Sequence, residues 1–136
     1  MKKFIGKVKT MLFDKRPTKY VLIAGCRSFE DYSVAKKYID MCLKNIRKEY
    51  KIIIISGGAK GADKLGERYA HANRMKCIYY YPDWEKYGKS AGPRRNLEMV
   101  KRADYVICFW DGKSRGTKST VDFAGKLKKP LRIKRI

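Results

Sequence analysis

Short apolar runs alternate with longer amphipathic stretches along most of the chain. Five such runs predict strands at residues 20–24, 51–55, 77–81, 105–110 and 131–133. The second run contains four consecutive isoleucines, as in a strand that is covered on both faces. Helical spacing predicts one helix that begins near Asp31 or Ser33, two at residues 60–73 and 94–102, and one after the turn at 111–116.

The alternating order of strands and helices predicts the fold class. Strands joined through helices form a parallel sheet, with right-handed crossovers and helices on both faces. We therefore expect an α/β protein with a doubly wound parallel sheet of about five strands, in a single domain at residues 20–136.

Residues 1–19 precede this domain and carry several lysines between apolar residues at helical spacing. The pattern predicts a basic amphipathic helix. We expect it to dock on the domain; joining a dimer, or lying on an anionic membrane or nucleic acid, are the alternatives.

Polar, mostly glycine-containing turns follow four of the strands, at residues 25–28, 56–63, 82–96 and 111–117. The carboxyl ends of parallel strands share one rim, and ligands bind there where the strand order reverses. A strand, a glycine-rich turn and a helix in succession direct backbone N–H groups towards one place, which suits a phosphate. The turns fit neither the P-loop spacing nor the GxGxxG dinucleotide fingerprint, so the phosphate site is of another kind.

Several residues of this rim are candidates for ligand binding. Arg27 and Arg95 carry guanidinium groups that suit bidentate contact with phosphate, although Arg27 as a plain surface residue is the alternative. Asp63 either caps backbone N–H groups or accepts a hydrogen bond from a ribose hydroxyl. Trp84, together with Tyr87, either stacks on a base or covers the core. The predicted set is Gly25, Arg27, Ser56, Gly57, Gly58, Asp63, Trp84, Arg95, Asn96, Asp111, Ser114, Gly116 and Thr117.

Composition adds a strong positive charge to this picture. The 136 residues include 34 Lys and Arg against 13 Asp and Glu, which gives a net charge of +21. A field of this size attracts polyanions, nucleic acid first, although a solvated basic surface without a specific partner is the alternative.

The four cysteines form no CxxC pair, and the chain has a single histidine, which argues against a zinc site. We expect no metal and no cofactor other than a nucleotide-type ligand. The cysteines lie mostly in apolar surroundings, as do buried thiols in a reducing compartment. No signal peptide is recognisable and the apolar runs are too short to span a membrane, so we expect a cytoplasmic protein.

Five motifs in order carry a resemblance to a known superfamily. They are Gly25-x-Arg27, Ser56-Gly-Gly-Ala-Lys-Gly-Ala-Asp63, Pro82-x-Trp84, Ala91-Gly92-x-x-Arg95-Asn96-x-x-Met99 and Asp111-Gly112-x-Ser114-x-Gly116-Thr117. From about residue 20 to 133 the chain resembles the SLOG superfamily, in particular its branch related to YspA and YpsA. The resemblance implies a Rossmann-like domain that binds a nucleotide or a nucleotide-derived ligand. It also implies a homo-oligomer, a dimer, because relatives often pair through helices. The ligand-contacting positions it implies are Gly25, Arg27, Ser56, Gly57, Gly58, Asp63, Arg95, Asn96, Gly116 and Thr117.

Two more distant relatives supply the alternative functions. The DprA family has a similar glycine turn and Arg-Asn pair, and it binds single-stranded DNA on this rim. The LOG phosphoribohydrolases cleave nucleoside monophosphates with a catalytic glutamate, which Thr120 replaces here when the turns are aligned on Gly116-Thr117. Glu98 and Asp122 are not at the motif position. We favour binding of a small nucleotide derivative by a sensor, carrier or sponge; binding of single-stranded DNA or RNA, and hydrolysis of an N-glycosidic or phosphate bond, stay open.

Overall fold

The computed structural model describes residues 14–136, and a five-stranded sheet forms the centre of the fold. Its strands are β1 (Thr18–Gly25), β2 (Lys51–Ser56), β3 (Lys76–Tyr79), β4 (Tyr105–Trp110) and β5 (Leu131–Arg135). They lie in the order β3-β2-β1-β4-β5, and each neighbouring pair is parallel. This confirms the predicted Rossmann-like parallel sheet, in which the strand order reverses beside β1.

In the part of the chain that the structure describes, six helices connect or flank the strands. They are α1 (Tyr32–Leu43), α2 (Ile46–Glu49), α3 (Ala62–Ala72), α4 (Trp84–Tyr87), α5 (Ala91–Arg102) and α6 (Arg115–Lys126), with a 3₁₀ turn at Gly88–Ser90. The predicted start of α1 is confirmed, because the Asp31 side chain accepts a hydrogen bond from the backbone N–H of Val34 and caps the helix.

Two apolar layers hold the helices on the sheet. Alternate residues of β1 point to opposite faces, as the strand period requires. Val21 and Ile23 pack with residues of α1 and α3, whereas Leu22 and Ala24 pack with residues of α5 and α6. These side chains are almost completely buried, and burying one of the larger ones stabilises the fold by about 1.5–3 kcal/mol.

Two helix boundaries differ from the prediction. The segment 82–93, expected as a loop, contains α4 and the 3₁₀ turn, and α5 begins at Ala91 rather than at residue 94. Pro93 falls within the first turn of α5, where its missing N–H costs nothing. At the start of α3, Gly61 has a φ of 74°, so helical geometry begins only at Ala62.

Helical spacing also predicts Ala72 and Leu127 as core-facing residues of their helices, and both predictions are wrong. Ala72 is exposed and Ala70 is buried in its place, because α3 ends at Ala72 and that last residue faces solvent. Leu127 is 39% exposed, since it follows the last residue of α6.

The predicted amphipathic helix at residues 1–19 falls largely on residues 1–13, outside the described part of the chain. Residues 14–17 are not helical, and β1 begins at Thr18, two residues earlier than predicted. Thr18 pairs with Lys51 in the sheet, and the Lys51 N–H donates to the Pro17 carbonyl at 2.9 Å. Pairing with β2 thus extends the folded domain to residues before 20.

Within residues 14–136, no helix combines the length and the apolar character needed to cross a membrane. The four cysteines are free thiols: Cys26 and Cys108 are buried, and Cys42 and Cys77 are partly buried.

Candidate ligand-binding cleft

A cleft of about 380 Å³ lies beyond the carboxyl ends of β1 and β4, where the strand order reverses. The turns after β1, β2 and β4 contribute to its walls, together with α5 and α6. Most of the predicted ligand-binding residues meet here. Those that line the cleft are Gly25, Arg27, Asp63, Arg95, Asn96, Asp111, Ser114, Gly116 and Thr117.

One wall of the cleft is the N-terminus of α6. Ser114 caps this helix: its Oγ accepts a hydrogen bond from the Thr117 N–H at 3.4 Å and lies 3.1 Å from Thr117 Oγ1. Asp111 holds the turn before it, because its Oδ1 accepts from the N–H groups of Ser114 and Lys113 at 2.9 and 2.8 Å. These two bonds lower the pKa of Asp111.

The first turn of α6 is open to a ligand. The first N–H groups of a helix have no partner inside it, and the helix dipole makes this end partly positive. Gly116 lines the cleft without a side chain, and a Cβ at this position would meet no atom within 4 Å. An anion can therefore approach the backbone at Gly116 directly.

Arg95 forms part of the wall contributed by α5. Its Nη1 donates to the carbonyl oxygens of Gly57 at 2.5 Å and Tyr80 at 3.3 Å, and its Nε donates to Asn96 Oδ1 at 2.9 Å. Asn96 in turn donates through Nδ2 to the Gly116 carbonyl at 3.3 Å. Burial lowers the pKa of Arg95, but a guanidinium stays protonated in proteins. This chain of hydrogen bonds fixes a positive charge beside the start of α6.

Asp63 places a carboxylate in the same cleft. Its side chain lies in the first turn of α3, and the residue is only 6% exposed. Oδ2 accepts from the Ala59 N–H at 3.1 Å, so Asp63 caps the preceding turn. Burial raises the pKa of Asp63 to about 6, against the opposing effects of that hydrogen bond and of Arg95 and Arg27. A carboxyl group with this pKa is able to change its charge near neutral pH.

Three predicted site residues in the turn after β2 lie outside the cleft lining. Ser56 is completely buried; its Oγ donates to Glu67 Oε2 at 2.6 Å and accepts from the Gly58 N–H at 3.0 Å. A Cβ on Gly57 would lie 2.7 Å from Arg95 Nη1 and 2.9 Å from Asp63 Oδ2. Ser56 and Gly57 therefore shape the turn that positions these two charged groups.

Trp84 also lies outside the cleft lining. It begins α4, is 53% exposed, and its ring would contact a Cβ on Gly92 at 3.4 Å. The ring therefore lies over the start of α5 and leaves about half of its surface free, and stacking on a base stays a prediction.

The cleft is also lined by residues that the motifs did not single out as ligand-binding. Cys26 and Thr120 are both buried. Thr120 lies one helical turn after Gly116, and that i, i+4 spacing was a usable signal for a shared helix face. Neither Glu98 nor Asp122 lines the cleft; they pair with Lys101 at 3.6 Å and Lys118 at 2.7 Å. The additional lining residues are Ala24, Cys26, Ser28, Ala59, Met99 and Thr120.

Comparison with known proteins gives a family match and a related sequence. A model of the YspA, cpYpsA-related SLOG family matches residues 19–87, which run from β1 to α4. The Gene 61 protein of Mycobacterium phage D29 is 35% identical over 117 residues, which cover 82% of this chain and 92% of the phage protein.

Two solved structures share the architecture. DNA processing protein A (DprA) from Streptococcus pneumoniae superposes with a TM-score of 0.64 at 21% identity, which shows the fold alone. The match covers 91% of this chain and 51% of that one, so the chain spans about half the length of that protein. DNA processing protein A from Helicobacter pylori, described for its single-stranded DNA binding mode, superposes with a TM-score of 0.63 at 25% identity. This match covers 91% of this chain and 67% of that one.

Proposed function

The chain belongs to the YspA, cpYpsA-related SLOG family, and we propose that its cleft binds a nucleotide or a nucleotide-derived ligand through a phosphate group. One observation carries this proposal: the open N-terminus of α6 and the side chains of Arg27 and Arg95 converge on one cleft. Backbone N–H groups at a helix start and guanidinium groups are the donors that phosphate oxygens prefer.

The arrangement of charges also indicates the orientation of the ligand. The start of α6 presents open backbone N–H groups at Gly116, so we place the phosphate there. The buried carboxyl group of Asp63 then faces the sugar, where it accepts a hydrogen bond from a hydroxyl group. The volume of about 380 Å³ falls within the usual range for small-molecule sites, roughly 300–1,000 Å³.

Isothermal titration calorimetry against mononucleotides, cyclic nucleotides and ADP-ribose-like compounds tests the proposal. We expect at least one of these classes to bind, and Arg95→Ala to weaken binding about 10- to 150-fold, because a hydrogen bond to a charged group contributes about 1.5–3 kcal/mol. Arg132→Ala is the matched control, since Arg132 is exposed near the start of β5, at the opposite end of the sheet. Absence of binding across all three classes would contradict the proposal.

Binding without turnover distinguishes a sensor, carrier or sponge from a hydrolase. Thr120 lines the cleft where the LOG motif has its catalytic glutamate. We therefore expect chromatography to recover the nucleotide intact after incubation with the protein. Release of a free base or of phosphate would assign the site to a hydrolase instead.

A nucleotide unit within single-stranded nucleic acid is the second candidate ligand. The net charge of +21 favours a polyanion, and the likeness to the Helicobacter pylori protein supports the same class. Binding of a single strand releases counterions, so its affinity falls steeply as salt concentration rises. A weak salt dependence would favour the small ligand.

A further inference from the structure

A second depression, the tyrosine groove, lies beside the cleft. We define it by Tyr81, Tyr87, Arg94, Arg95 and Lys101, and its volume is about 470 Å³. We propose that the tyrosine groove holds the nucleotides that follow the one bound in the cleft, so that the chain binds single-stranded nucleic acid across both. This inference rests on the proposed function of the cleft and extends it from one nucleotide to several.

Arg95 connects the two depressions. It lines both the cleft and the tyrosine groove. Its Nη1 is anchored to the carbonyl oxygens of Gly57 and Tyr80, so the guanidinium is fixed at their common wall. A strand that leaves the cleft at Arg95 therefore enters the groove, and one guanidinium is placed to contact the phosphate between the two nucleotides.

Aromatic side chains are concentrated at this place. Within residues 14–136, the exposed aromatic residues all fall between 79 and 87, and the most exposed is Tyr81, at 68%. Such rings are normally covered in a folded domain, and an exposed group of them indicates an interaction surface. Aromatic rings beside a basic groove are the usual platform for the bases of a single strand.

Tyr81 is held in place although it is exposed. Its ring packs against Gly58, where a Cβ would collide with Cε1, and Gly58 has a φ of 73° that favours glycine. The Tyr79 ring stacks on the Tyr81 ring with an interplanar angle of 3° and a distance of 5.8 Å between the ring centroids. The turn that shapes the cleft thus also positions the first ring of the groove. A base stacks on a fixed ring at a lower entropic cost than on a mobile one.

The charges of the groove suit a polyanion. Arg94 lies over the Tyr87 ring at 4.5 Å, and Lys86 lies 5.1 Å from the same ring. The two acids of the groove are engaged: Asp83 caps α4 by accepting from the Lys86 N–H, and Glu98 pairs with Lys101. The lining holds three cations, Arg94, Arg95 and Lys101, against these two acids, and Lys86 lies beside it, so the face that a strand would cross carries a net positive charge.

A length series with fluorescence anisotropy or calorimetry tests the inference. Thymidine monophosphate and a thymidine hexanucleotide are compared at one fixed salt concentration. We expect the hexanucleotide to bind at least about tenfold more tightly, because stacking on aromatic side chains adds to the phosphate contacts. Tyr81→Ala should remove most of that gain and leave monophosphate affinity within about twofold, whereas Tyr81→Phe, which keeps the ring, should retain it.

The controls separate stacking from general charge attraction. Lys37 and Met41 are exposed on α1, across the sheet from the groove. Lys37→Ala and Met41→Ala should therefore change the affinity for neither the hexanucleotide nor the monophosphate. If the hexanucleotide binds no more tightly than the monophosphate, the proposal for the groove is overturned and the proposal for the cleft is unaffected. An equal effect of Tyr81→Ala on both ligands, or none, would also overturn the proposal for the groove.

Two further outcomes have separate meanings. Failure of both ligands to bind would overturn the proposal for the groove, whereas the proposed function of the cleft is refuted only if mononucleotides, cyclic nucleotides and ADP-ribose-like compounds all fail to bind. If sedimentation instead shows a dimer that Tyr81→Ala dissociates, without an effect on the hexanucleotide, then a second copy of the chain covers the groove and the inference is wrong.

Discussion

Arg95 and Asp63 both lie against Gly57, from α5 and from the first turn of α3. The Cβ that any other residue would have at Gly57 would lie 2.7 Å from Arg95 Nη1 and 2.9 Å from Asp63 Oδ2. The missing side chain thus allows a guanidinium and a buried carboxyl group to approach the same turn of backbone. Since Arg95 also donates to the Gly57 carbonyl, this turn sets the position of both charges in the cleft.

Gly57→Ala tests this arrangement. The added methyl group must displace Arg95 or Asp63, so we expect a loss of stability of about 1–3 kcal/mol together with weaker nucleotide binding. Urea unfolding and calorimetry measure the two effects. Gly125→Ala, in α6 with nothing within 4 Å of the added Cβ, should be neutral or stabilising. Unchanged stability and affinity in Gly57→Ala would show that the two side chains move without cost.

The pKa of Asp63 predicts a pH-dependent stability. Burial raises this pKa to about 6 in the folded protein, above the ordinary value of 3.8 for an aspartate. Between these values the folded state binds more protons than the unfolded chain, so the free energy of unfolding falls as pH rises. The loss is on the order of 3 kcal/mol and is complete above about pH 6.

Asp63→Asn isolates this effect, because every other group titrates in both proteins. Urea unfolding from pH 4 to 7 should show the stability of the wild type decreasing relative to that of Asp63→Asn as pH rises. A difference that stays constant over this range would mean that Asp63 titrates with its ordinary pKa when folded.

Gly116→Ala separates binding from folding. The new Cβ meets no protein atom within 4 Å, but it occupies the open first turn of α6 beside the cleft. We expect stability to hold or to rise by up to about 1 kcal/mol, as for glycine to alanine in a helix, while nucleotide affinity falls about tenfold or more. Gly125→Ala in the same helix should gain similar stability and keep full affinity. Equal affinities in the two variants would place the phosphate elsewhere.

Much of the fold was predictable because the sheet depends on local patterns. The isoleucines of β2 and the apolar run of β4 identify strands within two residues of their bounds, and the Asp31 cap marks the start of α1. The start of α5 was missed because the sequence Ala91-Gly92-Pro93 is typical of a loop that ends where a helix begins. Propensity does not reveal that the chain is already helical there.

The site was less predictable because several of its side chains form hydrogen bonds with residues that are distant in the sequence. Ser56 resembles a ligand donor in the sequence, but its hydroxyl is bonded to Glu67, which a helical segment brings back over the turn. The contact of Arg95 with Gly57 joins residues far apart in the chain. Turn motifs locate the rim, whereas tertiary packing decides which of its groups face the cleft.

The buried hydroxyl of Ser56 gives a stability prediction. Ser56→Ala leaves Glu67 Oε2 and the Gly58 N–H without this partner, so we expect a loss of about 1–3 kcal/mol in urea unfolding. Ser33→Ala removes an exposed hydroxyl that donates to Asp31, and should cost markedly less. Losses of the same size would mean that the bonds of Ser56 contribute little.

Binding of a nucleotide phosphate by the N-terminus of α6 and Arg95 can be observed in an amide NMR titration of the full chain with a mononucleotide. We expect saturable shifts concentrated at the backbone N–H groups of Arg115 and Gly116 and at the Arg95 side chain, and their loss in Arg95→Ala. Small shifts distributed over the exposed lysines, or a response confined to residues outside the cleft, would contradict it.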